Sequence, residues 1–423
     1  MNCRHAISCL LATICLCWQA GQLAAQDAAP PIDLQTAVAR AVVDNPALRA
    51  AGIQMQLQDA RIEQAGIKSR PQLEVEVEDI LGSGTNDLLN GIQTTASISW
   101  ILEQQLRDSR VSAARAGSSL VQSEIDIQRL DVAAETARRY LACLELQARQ
   151  VIAAEAIALG EAAVDAIELR VTAGTTPVAE LSRARAFLRQ QELLADDVEH
   201  ELLSAYYRLA SQWGASEPDF SVVLGDLLAV PTIDSYEAFV SRLEQNPDLE
   251  RFLTAERAFE AELRLEEARN RQPWRVSGGL RWQNKTSDHG FVAGITIPLG
   301  PHDSNRGRVA EARTRITQTQ LEREAEQLRL QTELFAIYQE LNHYRELTAA
   351  FSDEIIPLYE SALADTRIAY EAGSYSYLEW NQTQIDLLGS RSDRVTAANG
   401  IFHSLIEIER LTGVSAEMSH LSQ

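Results

Sequence analysis

Two copies of one pattern run through this chain, and that duplication restricts its fold more than any other feature. Asn45-Pro46 returns as Asn246-Pro247, Pro71 as Pro273, Arg110-Val111 as Arg308-Val309, and Ala173-Gly174-Thr175 as Ala372-Gly373-Ser374, at offsets of 201, 202, 198 and 199 residues. So steady a spacing means one supersecondary unit copied whole, so that whatever the first half builds the second builds again. The boundaries follow: a first repeat over 26–214, a connecting segment over 215–234 marked by Pro218 and Pro231, a second repeat over 235–413 and a short polar tail, 414–423.

Residues 1–25 precede the repeats. A basic start at Arg4, an apolar run from Ala6 to Trp18 and the small residues Ala24-Ala25 read as an export signal, which places the mature chain outside the cytoplasm. Cys17 is preceded by Ile14-Cys15-Leu16 rather than by small residues, which argues against acylation there. Four of the five cysteines lie in the signal, so Cys143 stands alone and no internal disulfide can form. No later run of about 18 apolar residues could make a transmembrane helix, so a membrane crossing must use strands. With 60 acidic and 38 basic residues, a net charge of −22 argues against nucleic acid and anionic membrane surfaces as partners.

Each repeat opens with a helical pattern, Leu34 to Lys68 and Tyr236 to Asn270. Two alternating segments follow. Leu73, Val75 and Val77 alternate with Glu74, Glu76 and Glu78, and Ile92 to Trp100 alternates likewise; the second repeat has Trp274 to Gln283 and Phe291 to Leu299. Period-two patterning of this kind predicts four strands in two hairpins. Four strands with one apolar face cannot close a barrel, and their edges could not lie in lipid. Closure requires further copies. Trp274 and Trp282 are eight residues apart on the apolar face, about 26 Å at ~3.3 Å per residue, which matches the band between aromatic girdles of outer-membrane barrels; packing in the core of a soluble sheet is the alternative reading of the same pair.

From Arg110 to Ala173 and from Arg306 to Ala372 the only proline is Pro357, predicting two helices of about 60 residues, roughly 95 Å each. Leu330, Leu334, Ile337, Leu341, Tyr344, Thr348, Phe351, Ile355, Leu358 and Ala362 step by four and three, as do Ala137, Leu141, Leu144, Ala148 and Val151, the repeat of left-handed coiled-coil packing. Each long helix ends at a glycine suited to a left-handed turn, Gly174 or Gly373, and returns as a shorter helix, Val178 to Gln212 or Tyr377 to Leu411. Opening and returning helices are each about half the long one. Stacked end to end they would match it, giving a wall of continuous helices and stacked half-helices, with strands at one end and glycine turns at the other. Pro357 inside the second long helix predicts a bend.

This arrangement resembles the TolC family of outer-membrane efflux proteins over essentially the whole mature chain. The resemblance is carried by Asp44-Asn45-Pro46-Ala47-Leu48 and its echo Gln245-Asn246-Pro247-Asp248-Leu249, by Pro298 in Gly294-Ile295-Thr296-Ile297-Pro298-Leu299, and by Asn305-Arg306-Gly307-Arg308. The run from Ile356-Pro357 through Tyr370-Glu371-Ala372-Gly373 to Leu378 and Gln384 adds to it. It implies a mainly α chain with a small β part: a periplasmic barrel of long coiled-coil helices, and four strands per chain in a trimeric twelve-stranded outer-membrane β-barrel. Gln72 to Asp79 and the Gly82-Ser83-Gly84 turn look most like outer-membrane components of cobalt-zinc-cadmium resistance pumps, whereas Glu103-Gln104-Gln105-Leu106-Arg107 departs from the glycine-rich start such proteins often give the long helix. The function implied is the exit duct of a tripartite pump for heavy-metal cations. Organic drugs or secreted polypeptide are the alternative cargo, and a periplasmic structural coiled coil is the alternative of a different class.

The partners implied are two further copies of the chain, a periplasmic adaptor (membrane fusion protein), an inner-membrane resistance-nodulation-division pump, and outer-membrane lipid. In the family the gate lies at the glycine tip, which puts Glu180 and Glu379, each six residues after its glycine, into acidic rings. Gln382 stands where the family has a second acid and Tyr375 where it has a basic partner. The adaptor would dock on Gly174, Thr175, Thr176 and Pro177, and on Gly373, Ser374, Tyr375 and Ser376. No cofactor is implied. The histidines lack metal-ligand spacing, and no nucleophile elbow, phosphate loop or Cys-x-x-Cys pattern points to an enzyme.

Overall fold

The computed structural model describes residues 29–81, 84, 91–271, 273–299 and 305–413. The export signal, the tail and the Gly82-Ser83 part of the turn lie outside the described residues. In chain order the elements are α1 Leu34–Asp44, α2 Pro46–Ala65, β1 Gln72–Glu78, β2 Gln93–Leu102, α3 Gln104–Thr172, α4 Val178–Ala210, α5 Tyr236–Leu243 and α6 Pro247–Arg269. There follow β3 Trp274–Gln283, β4 Asp288–Thr296, α7 Arg306–Ala350, a π-helical turn Phe351–Ile355, α8 Ile356–Glu371 and α9 Tyr377–Thr412.

The opening helix of each repeat is broken where the sequence pattern runs on. A residue before proline is pushed out of the α region, and Asn45 (ψ 125°) and Asn246 (ψ 127°) take that extended conformation. Each asparagine then caps the next helix: Asn45 Oδ1 accepts from the backbone of Ala47 at 2.9 Å, and Asn246 Oδ1 from that of Leu249 at 3.0 Å. Each also faces the other way. The Asn45 side-chain amide donates to the Gln212 carbonyl at 2.8 Å, and that of Asn246 to the Leu411 carbonyl, so the start of α2 or α6 is tied to the end of the returning helix. The half-helices are thus stacked, α2 on α4 and α6 on α9, and α3 runs continuously between the two stacks. The second long helix, α7 with the π turn and α8, follows on the far side of the α6–α9 stack.

Pro357 does not simply bend its helix. The π turn at Phe351–Ile355 lies just before it, where one extra residue per turn takes up the missing N–H and the clash of the ring with the preceding turn. The insertion shifts the seam by one residue. Leu330, Leu334 and Leu341 are fully buried as the heptads predict, but beyond the turn Ile356 is buried rather than Ile355, and Leu358 is 70% exposed. In α3 the seam also drifts: Ala137, Leu141 and Leu144 are buried, whereas Val151 is 70% exposed and Ile152 takes its place against the core. A straight α-helix drifts about 20° per heptad from a 3.5 repeat, and α3 follows that drift.

The segment 215–234 is packed, not loose. Ile32 pairs in parallel with Val223, and Phe220, Val223 and Leu227 are buried beside Leu34, Tyr140 and Leu144. The single proton of the Tyr140 hydroxyl is shared between the carbonyls of Ile32 and Leu224, which fastens this layer to the middle of α3.

The four strands form one antiparallel sheet in the order β1-β2-β3-β4. Directly paired residues share a face: Val77, Thr94 and Trp282; Val75, Ala96, Leu280 and Phe291; Leu102 and Trp274. This face is apolar and exposed, with Phe291 at 94% and Trp274 and Trp282 at 51% and 52%. The opposite face carries Glu74, Glu76 and Glu78 on β1 and Arg275 and Arg281 on β3, with Arg281 bonded to Thr95 at 3.0 Å and paired to Glu78 at 3.3 Å. β4 begins at Asp288, three residues before the apolar run suggested, because the polar turn of its hairpin is shorter than the composition implies; Pro298 falls beyond the ladder.

Candidate functional site at the glycine tip

Both long helices end in the same motif. Gly174 (φ 74°) and Gly373 (φ 79°) take the left-handed conformation that glycine enters without a steric penalty. The following amides, Thr175 and Ser374, reach back to the carbonyls of Arg170 and Ala369 at 3.0 and 2.9 Å, while the glycine amides bond Val171 and Tyr370, both at 2.9 Å. These paired bonds satisfy carbonyls that a helix end otherwise leaves open.

Beyond the glycine the two turns differ. Pro177 precedes α4 without a side-chain cap, whereas Ser376 and Glu379 form a capping box: the Glu379 carboxylate accepts from the Ser376 amide at 2.8 Å and from its hydroxyl at 3.0 Å. Those bonds hold the Glu379 carboxyl below the usual range, so it is charged at neutral pH. Gln382, also exposed, donates to Asp386 at 2.8 Å. Glu379, Gln382 and Asp386 thus follow one another along a single face of α9. Asp386 was missed from sequence, although its i+7 spacing from Glu379 places it there.

A second group ties the two hairpins together at their tips. Arg170, from the last turn of α3, donates to the Glu371 carbonyl at 2.7 Å and to the Thr176 hydroxyl at 3.1 Å, and its guanidinium lies 5.0 Å from the centre of the Tyr370 ring. The Tyr370 hydroxyl is 3.4 Å from a Glu180 carboxylate oxygen. The same ring stacks on Trp380 at 5.2 Å, and Tyr377 meets Trp380 edge-on at 6.3 Å. All three rings are buried, which pushes the Tyr370 phenol upward and that of Tyr377 up to about 12. Glu180, expected at the gate, and Thr176, expected at the docking tip, are therefore drawn into this group. Glu379, Gln382 and the 46% exposed Tyr375 bond only within their own hairpin among the described residues. Arg170 and Tyr370 were not singled out from sequence; their signal is proximity to the turns, four and three residues before the two glycines.

Among the described residues no group of three or more histidine, cysteine, aspartate or glutamate side chains could hold a metal ion, and no helix is long and apolar enough to cross a membrane.

Comparison with known proteins places these features. Residues 240–414 match the family described as outer membrane efflux protein. The chain is 25% identical over 393 residues to the cobalt-zinc-cadmium resistance protein CzcC of Cupriavidus metallidurans, covering 92% of this chain and 91% of that protein. It is 25% identical over 304 residues to the nickel and cobalt resistance protein CnrC of the same organism, at 70% and 71% coverage. In fold it is similar to CusC, with a TM-score of 0.71 at 19% identity over 92% of this chain and 94% of that one. The outer membrane protein VceC from Vibrio cholerae gives 0.69 at 16% identity, over 90% and 96%.

Proposed function

We infer that this chain, an outer membrane efflux protein by sequence and by fold, is the exit duct of a tripartite pump that expels heavy-metal cations. Its strands stand in the outer membrane and its helices extend into the periplasm. The observation that carries the duct reading is the sheet: four strands, both edges unpaired, and one exposed apolar face between two tryptophan levels. Such a sheet is stable in lipid only when closed, and three copies give a twelve-stranded barrel. The metal reading rests on the relatives, which are resistance proteins for cobalt, zinc, cadmium and nickel.

The gate and docking assignments belong to the same reading. Glu379, three times around the axis, lines the narrow end, and the adaptor meets the tips at 174–177 and 373–376. Widening the aperture would require α8 and α9 to leave the first hairpin, which breaks the Arg170 bond to the Glu371 carbonyl and separates Tyr370 from Arg170 and Glu180. Deletion of the protein is expected to sensitise cells to cobalt, zinc or cadmium and leave drug sensitivity unchanged; the reverse pattern overturns the metal assignment. For the gate, the reconstituted trimer is expected to lose cation selectivity on Glu379→Gln, since a ring of charge sets which ion enters. Equal selectivity of the two channels would remove Glu379 from the gate.

A further inference from the structure

Where helices meet strands, the charge of the molecule reverses. The stretches 66–71, 103–110, 266–273 and 305–308 hold eight basic and four acidic residues, in a chain that has 38 against 60 overall. These junctions sit at the periplasmic edge of the apolar band. Three of the seven arginines there are spent within the protein: Arg107 pairs with Asp108, Arg110 with Glu103, and Arg269 with Glu266. Arg271 has no acidic partner among the described residues. One of its terminal nitrogens donates to Gln105 at 2.9 Å, and its remaining guanidinium donors make no other bond among those residues.

Beside Arg271 is a recess of about 230 Å³ between the base of β2 and the end of α6, walled by Leu102, Leu106, Pro273 and Trp274. Leu102 and Trp274 are a directly paired couple on the apolar face and are 55% and 51% exposed, so the recess opens outward, towards lipid. Glu103 also borders it. Despite partial burial its carboxyl is held below the usual range by the Ser69 amide at 2.7 Å and by Arg110 and Arg107, so its charge is already matched. The recess lies between β2 and β3, in the middle of the sheet, and not at the β1 or β4 edge that a second copy would cover. It would hold about eight waters at roughly 30 Å³ each, the size of a phosphate with its glycerol stem and too small for acyl chains. The chains would run up the apolar face from Trp274.

We propose that this recess is a phospholipid site, in which Arg271 binds the phosphodiester of a glycerophospholipid of the periplasmic leaflet and Leu102 and Trp274 carry its acyl chains. An arginine fork suits a phosphate, and an indole at this level is amphipathic in the same sense as the lipid. One molecule per chain gives three around the barrel, fixing its height in the membrane. The proposal rests on the outer-membrane placement and the closed barrel of three copies, and not on the cargo.

The test is native mass spectrometry of the full-length protein, purified from outer membranes, delipidated in detergent and titrated with dioleoyl phosphatidylglycerol. One saturable lipid per chain is expected, with affinity about tenfold weaker in Arg271→Gln, the loss of one charge-assisted contact. Gln105→Ala, which keeps the cation, should bind as the wild type does. Inorganic phosphate should not displace the lipid; full displacement would make this a simple anion site and overturn the proposal, as would equal binding by Arg271→Gln. If that variant does not assemble, a lipid with a photoreactive group beside its phosphate decides the matter on the wild type: labelling within 102–106 or 268–274 supports the site, and labelling only elsewhere overturns it. Absence of the wild type from outer-membrane fractions would instead refute the placement itself.

Discussion

Asn246 does two jobs with one side chain, and they can be separated. It is fully buried, its oxygen capping α6 and its nitrogen holding the last turn of α9. Asn246→Ala removes both, and a lost cap of about 1 kcal/mol plus an unpaired buried carbonyl amounts to roughly 2 to 3 kcal/mol. Asn246→Asp keeps the cap but turns an acceptor towards the Leu411 carbonyl, so it should destabilise at least as much. Thermal midpoints of the detergent-solubilised protein check this; an aspartate variant near wild type would mean that only the cap matters. The same junction holds Glu409. Burial pushes its carboxyl up to about 7 against the pull of Arg242, and one of its oxygens has no partner. Because its folded value lies above the ordinary 4.5, the acid favours the fold when protonated, and that contribution is lost as pH rises from about 4.5 through 7. Glu409→Gln should therefore stabilise the protein at pH 8, by up to about 3 kcal/mol, and change little at pH 4. A gain equal at both pH values would show that its ionisation is irrelevant.

Among the elements, the π turn makes the sharpest claim. It is one residue inserted into a helix whose seam is fixed on both sides, by Leu341 below and by Ile356 and Tyr370 above. Deleting Ser352 while changing Pro357 to Ala should heal the segment into a continuous α-helix with the seam intact, and the double variant should assemble normally. Deleting one residue within α7, at Gln327 for example, displaces every later seam position by about 100° and should abolish assembly. Electrophoresis of unheated samples distinguishes the two; equal loss in both would mean that the π turn is needed for itself. The turn was not legible in the sequence because Ile355 and Ile356 are adjacent and both apolar, so a 4-3 pattern can be continued through either. The left-handed tip turns and the two hairpins were legible, since glycine after a long helix and alternation at period two each have one ready physical meaning. The breaks at Asn45 and Asn246 were signalled too, by the proline after each, but a strong helical period on both sides masks a one-residue interruption. Arg170 and Tyr370 meet only through tertiary packing, 200 residues apart in the sequence, and no local pattern announces such a pair.

At the scale of the molecule, the duplication determines what the chain lacks. Two hairpins give a sheet with two open edges, and two helical arms give a wall with two open sides, so both layers must be completed by the same neighbours. The sheet shows which side faces lipid before any neighbour is present, because its apolar residues lie on one face and its carboxylates on the other. A pair of substitutions tests that assignment. Leu280, 57% exposed, sits within the apolar band opposite Phe291. Leu280→Arg places a cation in hydrocarbon at a cost of about 2 to 4 kcal/mol per chain near the midplane. In the proposed trimer three chains multiply it, and heat-modifiable oligomer should vanish from outer-membrane fractions. Glu76 occupies the opposite face of β1, exposed on the polar side. Glu76→Arg reverses charge there without meeting lipid, so the oligomer should form and only its ion preference should change. Were both variants to assemble equally well, the apolar face would not lie in lipid; were both to fail, the polar face would be a packed core and not the wall of a channel.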